Sequence, residues 1–417
     1  MGLALIWINL EVQKLSKVCF CIWLAVGSLI GVLAWVPLGF TWQLAVLWAL
    51  VMAWLLVPSR EAAFTLFFFY YLVTSREVGQ IIHRFTGMND FAAWGIVIAY
   101  SASIALLWTL AWQRRPLWRF CGLVFALIAT SIPPLGGFIY GSPLLAAGWL
   151  YPGTGFVGIG LLFVSWGSVF AFAVLLKSTT KTVAIAAAGC LVVASIVANA
   201  QYKEPDSNLV YALNTNFPLY PVKLEDQYER HLELTKTALA ALAQPYPTVV
   251  MPEEIGGFWQ PRYAWLWEDV SKAYKAANKT LIVGFDTKPD QYANTAKVFG
   301  LNPDNASDVL AKVPAPMGGW KPWAIVHAPA RWLSPATMTV NGRELTFVFC
   351  WEELVPWPWL SAAGSISGQV EQKPRSVVVI ANHWFAKDLD IGDSQARSTQ
   401  AWTKLFGWSF QRVVNKP

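Results

Sequence analysis

Charged residues are scarce in this chain: they make up 13% of its 417 residues, whereas hydrophobic residues make up 55%. Soluble domains carry about twice that share of charge, so the chain as a whole cannot be an ordinary soluble protein. Histidine and cysteine are rarer still, with four and five residues, and no Cys-x-x-Cys pair occurs. Zinc sites need such ligands in clusters, so we expect neither a metal nor another cofactor.

The scarcity of charge is confined to the first half of the chain. Residues 18–200 are a series of apolar blocks between short polar loops, and charges return from Gln201 onward. A polar linker that contains a proline, QYKEPD at 201–206, separates the apolar half from the charged half. We therefore predict an N-terminal polytopic α-helical membrane domain over residues 1–200 and a soluble α/β domain over residues 201–417.

Seven segments of the first half approach the ~20 apolar residues that a membrane-spanning helix requires. The third of them, 62–82, contains Arg76 and Glu77 near its end, and the fifth, 120–132, is short. Residues 1–10 are too few to span, and cations follow them instead of preceding them, so we interpret them as an interfacial segment and not as a cleaved signal. The predicted spans are 18–36, 41–57, 62–82, 91–112, 120–132, 156–176 and 182–200.

Lysine and arginine are distributed unevenly between the loops, which predicts a cytoplasmic N-terminus. With an odd number of spans, residues 201–417 then lie outside the cytoplasm, although one missed span would reverse that placement. These cations also explain most of the net charge of +6, so no nucleic-acid contact is expected. The cytoplasmic set is Lys14, Lys17, Arg60, Arg114, Arg115, Arg119, Lys177 and Lys181, and the opposite set is Arg76 and Arg84.

The second half alternates strand-like and helix-like segments. Strands are predicted at 209–213, 248–251, 280–285, 323–328, 345–349 and 376–380, and amphipathic helices at 224–242 and 264–277. Three of these strands lead into polar residues, namely Glu253, Cys350 and Asn382. Sites in layered α/β folds collect at strand ends, so these residues are the candidates for chemistry.

Cys350 is the only cysteine of the second half. A lone thiol in an oxidising compartment is a hazard unless it is buried or used, so a structural core residue and a nucleophile are both open interpretations. A thiol nucleophile needs a base and a positive charge or N–H pair for the oxyanion. Glu253, flanked by apolar residues, is a suitable base, and Lys312 is a candidate cation, although either residue alone is more often a solvated surface group.

Five local motifs resemble those of the nitrilase (carbon–nitrogen hydrolase) superfamily, and the candidate Glu, Lys and Cys follow one another in the order found there. The resemblance is greatest to the membrane branch of apolipoprotein N-acyltransferases. The segment TVVMPEEI at 248–255 resembles the strand that ends on the base, here Glu253. YANTAKV at 292–298 is similar to the Tyr-Asn-Ser-Ala segment, and VPAPMGG at 313–319 to the stretch after the catalytic lysine, here Lys312. FCWE at 349–352 looks like the nucleophile motif Cys-Tyr-Glu, and NHWF at 382–385 like Asn-Asp-Ala-Trp-Phe.

The departures from that branch concern the second substrate more than the triad. Lys312 lies one residue closer to the Pro-Met-Gly stretch than in the acyltransferases, and Gly319 replaces a glutamate. Trp351 replaces a tyrosine, the motif at 382–385 is one residue short, and no apolar anchor follows residue 414. These differences favour a divergent relative, such as the conjugal-transfer (TraB-type) proteins of the same branch.

The resemblance implies a periplasmic αββα sandwich on a bacterial inner-membrane, multi-pass protein, with Glu253, Lys312 and Cys350 as the catalytic triad. The backbone N–H of Trp351 would complete the oxyanion site, Asn382 and Trp384 would support it, and Glu352 would orient Lys312 or the acceptor, or else only pair with surface charge. The implied reaction moves an acyl group from a phospholipid through a thioester to an amine on a lipoprotein or peptide.

Two other functions stay open at this point: a membrane-tethered amidase, and a non-catalytic envelope component of a conjugation system that contacts other conjugation proteins. Seven spans exceed what a tether requires, and a polar linker of about seven residues, at most ~25 Å long when extended, keeps the site within reach of lipid. The apolar Gly/Pro loop at 133–155 could help to hold an acyl chain or could simply be a long connection. The sequence therefore favours acyl transfer.

Overall fold

The computed structural model divides the chain into two compact units, Met1–Gln201 and Tyr202–Pro417. Each unit is described by itself. The described residues are 2–174, 178–206, 209–287, 293–300, 308–320, 327–334, 336–340, 343–364, 376–386 and 388–417.

The first unit consists of helices joined by turns and loops in its described residues. Three of its helices are long and apolar enough to cross a membrane, over Asp90–Ala111, Phe156–Val174 and Thr182–Gln201, and they match the fourth, sixth and seventh predicted spans. Shorter apolar helices cover Phe20–Trp35, Gln43–Leu56 and Pro116–Ser131. The helices are α1 (Gly2–Trp35), α2 (Leu47–Leu56), α3 (Arg60–Thr74), α4 (Val78–Thr86), α5 (Asp90–Ala111), α6 (Pro116–Ser131), α7 (Ala146–Leu150), α8 (Phe156–Val174) and α9 (Ser178–Gln201).

One sequence prediction about this unit is wrong. The third predicted span, 62–82, is not one helix, because the chain leaves the helix after Thr74 and starts α4 at Val78. Its polar interruption carries an ion pair between Arg76 and Glu77 at 2.9 Å, which a continuous apolar span has no place for. Residues 2–10 are continuous with the first predicted span, since α1 runs without a break from Gly2 to Trp35, and their interfacial position stays a prediction.

The Gly/Pro loop at 133–155 folds into two 3₁₀ turns and α7, and most of its central residues are buried within the first unit. Side-chain hydroxyls satisfy its carbonyls: Tyr70 Oη donates to Gly141 O at 2.7 Å, and Tyr100 Oη to Phe138 O at 3.1 Å. Irregular backbone inside an apolar unit requires such partners. The loop is therefore a packed part of this unit, and its contact with an acyl chain stays a prediction.

The second unit contains two sheets. The first is ordered β1 (Val210–Ala212), β2 (Thr248–Val250), β3 (Thr280–Asp286), β4 (Asn294–Gly300) and β5 (Val309–Leu310). The second is ordered β6 (Thr337–Val340), β7 (Arg343–Phe349), β8 (Ser376–Asn382) and β9 (Ser409–Asn415). Strands β1–β3 are parallel to each other, as are β7–β9, whereas β4, β5 and β6 pair antiparallel to their neighbours. The helices are α10 (Leu224–Ala241), α11 (Ala264–Ala276), α12 (Pro356–Gly364) and α13 (Ile391–Phe406).

The layers follow from the two-residue period of the strands. Alternate side chains such as Val250, Ile282 and Phe347 form one buried cluster between the two sheets. The intervening side chains of the first sheet, such as Leu281, pack against α10 and α11 through residues that include Trp267. On the second sheet, α13 packs against β9 and the turn that follows β7. The second unit is therefore a four-layer αββα sandwich.

The sequence located most of the parallel strands and missed the others. Five predicted strands coincide within two residues at each end with β1, β2, β3, β7 and β8, and both predicted helices coincide with α10 and α11. The sixth predicted strand, 323–328, lies mostly outside the described residues, and its last two, His327 and Ala328, lie in no strand. The prediction missed β4, β5, β6, β9 and the helices α12 and α13.

Candidate active site

Cys350 lies where β7 ends and a 3₁₀ turn, Cys350–Glu353, begins. Strand β7 runs parallel to β8, with Phe349 opposite Ile380, so both strands deliver their carboxyl ends to one edge of the sheet. The edge therefore places Cys350 beside Asn382, the last residue of β8. Cys350 is half-buried and free of any disulfide.

Glu253 follows β2 and reaches the same region from the first sheet. Only 5% of it is exposed, and Asn294 Nδ2 donates to its Oε1 at 2.5 Å. The segment carrying Glu253 lies directly on β3 at Gly284, where a Cβ atom would stand 2.1 Å from Pro252 O and 2.5 Å from Glu253 Cα. A side chain at Gly284 is therefore incompatible with this position of the carboxylate.

The carboxylate of Glu253 and the thiol of Cys350 lie close enough to affect each other's ionisation. The backbone N–H of Asn382, at the end of β8, lowers the pKa of both groups. Burial, followed by the neighbouring Glu254 carboxylate, raises the pKa of Glu253 well above its ordinary value, against the opposing hydrogen bond from Asn294. Burial, followed by the charge of Glu253, also raises the pKa of the Cys350 thiol. A buried carboxylate with a raised pKa is a stronger base, as proton removal from a thiol requires.

The backbone of Lys312 is bonded to the 3₁₀ turn that begins at Cys350. Glu352 is fully buried, and its Oε1 accepts from the N–H groups of Lys312 at 2.6 Å and Val313 at 2.7 Å, while its Oε2 accepts from Phe349 N at 3.0 Å. The ammonium of Lys312 donates to Ser361 Oγ at 3.0 Å, and only 5% of this lysine is exposed. Glu352 thus fastens the Lys312 segment to the end of β7, and pairing with surface charge is excluded.

A second buried carboxylate, Glu353, holds the other side of the turn. Arg412 on β9 donates to it twice, from Nε to Oε2 at 2.7 Å and from Nη2 to Oε1 at 3.0 Å, and Thr399 Oγ1 donates to Oε2 at 2.9 Å. Burial lowers the pKa of Arg412, but the charge of Glu353 outweighs that cost and leaves it raised. This fork-shaped pair fixes the turn to β9.

The predicted supporting residues occupy different positions. The side chain of Asn382 accepts from Asn415 Nδ2 at 2.8 Å, so it secures the strand edge while its backbone N–H faces the site. Trp384 is half-buried, with its ring 5.9 Å from that of Phe385. Trp351 follows Cys350 in the 3₁₀ turn, and its N–H as oxyanion donor stays a prediction.

Several site residues escaped the sequence analysis. Asn294 fell within a recognised motif but had no assigned role, and Ser361, Gln395 and Arg412 carried no local signal. Gln395 Nε2 donates to Cys350 O at 2.7 Å and to Cys350 Sγ at 3.3 Å. Among the described residues, no group of three or more histidines, cysteines and acids is placed to hold a metal ion.

Among proteins of known function, the chain is similar in sequence to two conjugal transfer proteins. No family model matches the chain. A probable conjugal transfer protein TraB of Sinorhizobium fredii is 26% identical over 400 residues, which cover 92% of this chain and 95% of that protein. The conjugal transfer protein TraB of Agrobacterium fabrum is 24% identical over 397 residues, which cover 91% and 88%.

Similar solved structures are carbon–nitrogen hydrolases. An amidase of the nitrilase superfamily from Nesterenkonia sp. AN1 is 14% identical with a TM-score of 0.35, and the match covers 50% of this chain and 78% of that one. A carbon–nitrogen hydrolase from Helicobacter pylori is 15% identical with a TM-score of 0.31, covering 47% and 67%. The two conjugal transfer proteins agree with the TraB-type relative expected from the sequence. Because these TM-scores lie below 0.5, the chemistry of this chain has to be argued from its own site.

Proposed function

We propose that this chain is a membrane-bound N-acyltransferase of the nitrilase type, in which Cys350 takes an acyl group from a phospholipid and passes it to an amine on a lipoprotein or peptide. The observation that carries the proposal is the proximity of the buried Glu253 carboxylate to the Cys350 thiol, whose pKa the charge of Glu253 raises. A candidate base from one sheet and a candidate nucleophile from the other thus lie in one buried setting, which raises the pKa of both.

The reaction proceeds in two halves. Glu253 accepts the thiol proton, and the sulfur of Cys350 attacks the acyl carbonyl, whose oxyanion is stabilised by the Lys312 ammonium and the N–H of Trp351. The tetrahedral intermediate collapses to a thioester, and the departing alcohol takes the proton from Glu253. The acceptor amine then attacks the thioester while Glu253 accepts its proton, and Cys350 leaves and recovers a proton.

The support around the triad suits a fixed oxyanion site. Glu352 holds the backbone of Lys312 against the end of β7, and Ser361 accepts from the ammonium at 3.0 Å. A charge that is already in place when the oxyanion forms needs no rearrangement during the reaction, and this is the main way in which such sites lower barriers.

A lipid donor is favoured by the first unit. Its three helices long enough to span a membrane are more than attachment of a soluble amidase needs. Lifting a long acyl chain from a bilayer into water costs about 0.8 kcal/mol per CH₂, so a phospholipid donor requires an enzyme held at the membrane. We place the chain in a bacterial inner membrane with residues 201–417 in the periplasm, a topology that follows from the loop cations if α3, the apolar part of the third predicted span, still crosses the membrane.

Service to conjugal plasmid transfer is proposed because the two relatives bear that name. In that setting the acceptor is an envelope lipoprotein or peptide of the transfer apparatus. A periplasmic amidase with water as the acceptor is the second candidate. It is favoured by Gly319, which stands where the acyltransferases have a glutamate and offers only a carbonyl, bonded by Ala328 N at 2.8 Å.

The test is an intact-mass measurement on full-length protein in detergent, incubated with phospholipid and no acceptor. The expected product is a hydroxylamine-sensitive acyl adduct on Cys350, absent from Glu253→Gln and Cys350→Ala. Glu254→Gln is the matched control, because it removes the adjacent carboxylate and keeps the proposed base.

The other outcomes separate the alternatives. Turnover of small soluble amides without any lipid adduct would establish the amidase. If neither reaction occurs, and Cys350→Ala restores plasmid transfer to a strain lacking this protein, the chain is a non-catalytic envelope component.

A further inference from the structure

Gln395 places an amide directly on the candidate nucleophile. It lies in the first turns of α13, and only 2% of it is exposed. Its Nε2 donates to the carbonyl of Cys350 at 2.7 Å and to Sγ of the same residue at 3.3 Å. One amide group thus uses both of its hydrogens on Cys350, one on the backbone and one on the atom that reacts.

The orientation of this amide is fixed by its other end. Arg412 Nη2 approaches Gln395 Oε1 at 3.5 Å, and a guanidinium can only donate, so the oxygen must face Arg412. The carbonyl of Cys350 can only accept, so the nitrogen must face Cys350. The two constraints agree, and a flipped amide would lose both contacts.

Arg412 is itself immobilised. Both oxygens of the fully buried Glu353 accept from it, at 2.7 and 3.0 Å, and its Nη2 lies 3.4 Å from His383 Nε2. Burial and the charge of Arg412 lower the pKa of His383 to about 4, so this ring is neutral at pH 7 and adds no competing charge. The cation next to Gln395 therefore has one fixed position.

Helix α13 reaches the site because of a glycine. A Cβ atom on Gly392 would stand 2.9 Å from Cε1 and Nδ1 of His383, closer than side chains pack. The first turn of α13 thus lies against the end of β8, and this contact sets the distance from Gln395 to Cys350.

We propose that Gln395 is a further catalytic residue, which stabilises the Cys350 thiolate by donating to its sulfur, and that Arg412 is the positioning residue that orients the Gln395 amide. The inference rests on the proposed role of Cys350 as nucleophile. In the step concerned the S–H bond breaks, the proton passes to the carboxylate of Glu253, and the electron pair stays on sulfur. The Nε2–H group of Gln395 remains bonded to the sulfur throughout and transfers nothing.

The physical reason is the burial of the thiol. Desolvation and the charges of Glu253 and Glu353 disfavour the thiolate, and the hydrogen bond from Gln395, together with the backbone N–H of Asn382, opposes them. A hydrogen bond to a charged acceptor changes an ionisation equilibrium about tenfold or more, which is about one pKa unit.

The test is the pH dependence of Cys350 alkylation by iodoacetamide in full-length protein in detergent, quantified on the peptide that contains Cys350. Gln395→Met keeps the length of the side chain and removes the donor. We expect its alkylation to be about tenfold slower at pH 7.5, with the midpoint about one pH unit higher and the rate at high pH unchanged.

Gln400→Met is the matched control. Gln400 is a half-buried glutamine five residues further along the same helix, and its variant should follow the wild-type curve. Arg412→Lys keeps the positive charge but cannot form the two parallel bonds to Glu353. The Gln395 amide is then no longer held in one orientation, so the pH midpoint of Cys350 alkylation should also rise. A purely structural role for Arg412 would lower the melting temperature and leave the midpoint in place.

The proposal is overturned if Gln395→Met shows the wild-type midpoint and rate. If that variant does not fold, Gln395→Glu decides the matter: its carboxylate cannot donate at neutral pH, so it must raise the midpoint, and an unchanged midpoint overturns the proposal equally. Alkylation reports ionisation of the thiol without any acyl donor. A failure of acyl transfer with a shifted midpoint therefore counts against the proposed function and not against Gln395.

Discussion

The replacement of Glu352 by glutamine gives a prediction with an unusual pH dependence. The carboxylate is fully buried and accepts three backbone N–H groups, two on Oε1 from Lys312 and Val313 and one on Oε2 from Phe349. A glutamine can turn its oxygen towards the first two donors, but its NH₂ then faces the N–H of Phe349. An unpaired buried donor costs about 2 kcal/mol.

The wild-type residue carries its own cost, which depends on pH. Burial raises the pKa of Glu352 from 4.5 to about 7, against the opposing N–H groups and the charge of Lys312. Because the pKa is higher in the folded state, the stability gained from the protonated form is complete below pH 4.5. It is lost progressively as the pH rises to 7 and is constant above that, with a total change of about 3 kcal/mol.

Glutamine does not titrate, so the penalty for Glu352→Gln should be about 1 kcal/mol at pH 5 and should become a gain of about 1 kcal/mol at pH 7.5. The assay is thermal unfolding of full-length variant and wild type in detergent at pH 5, 6 and 7.5. The difference between their midpoints should change by several degrees and reverse its sign. Glu229→Gln, at an exposed position of α10, is the control and should shift the midpoint little at any pH. A penalty that is constant or grows with pH would refute the reasoning, because it would show that the three N–H groups outweigh burial.

Four further predictions concern the base and the topology. Glu253→Gln should abolish adduct formation on Cys350, while Glu254→Gln should retain most of it; the reverse result in the intact-mass assay would shift the base by one residue. Wild-type adduct formation should rise with pH through the raised pKa of Glu253, since only the ionised carboxylate accepts a proton, and a rate that falls with pH contradicts this role. Gly284→Ala should also suppress the adduct, because its Cβ would stand 2.5 Å from Glu253 Cα; a normal adduct yield would show that the carboxylate tolerates displacement. Alkaline phosphatase fused after Pro417 should be active and a fluorescent protein fused there dark, and the opposite pattern would place the second unit in the cytoplasm.

The strands that carry the candidate triad could be located from the sequence because their signals are local. The end of β2 and the end of β7 are apolar runs of β-forming residues that stop at Glu253 and Cys350, and burial on both faces produces such runs. Strands β4 and β6 contain polar residues and lack a continuous apolar run, so the search for such runs did not find them. The roles of the triad residues were not accessible in that way and remain proposals.

Gln395 could not be found from the sequence, because α13 reverses the usual pattern. The helix buries polar residues, including Gln395, Ser398 and Thr399, together with Trp402. A sequence argument assigns the polar stripe of such a helix to solvent. Here the stripe faces the turn at Cys350 and the carboxylate of Glu353, whose polar groups need partners when they are buried. The signal exists only once the tertiary structure is known.

The assignment of the base finally depends on a comparison of three buried glutamates. Glu353 is neutralised by the fork of Arg412, and Glu352 is occupied by three N–H groups that tie two segments together. Glu253 accepts from Asn294, and its charge raises the pKa of the neighbouring Cys350 thiol. The oxygens of Glu352 and Glu353 are used in bonds that tie segments together, whereas Glu253 is buried beside the thiol with a pKa well above its ordinary value. The same burial that makes Glu253 costly to keep ionised therefore makes it the carboxylate best suited to remove the proton from Cys350.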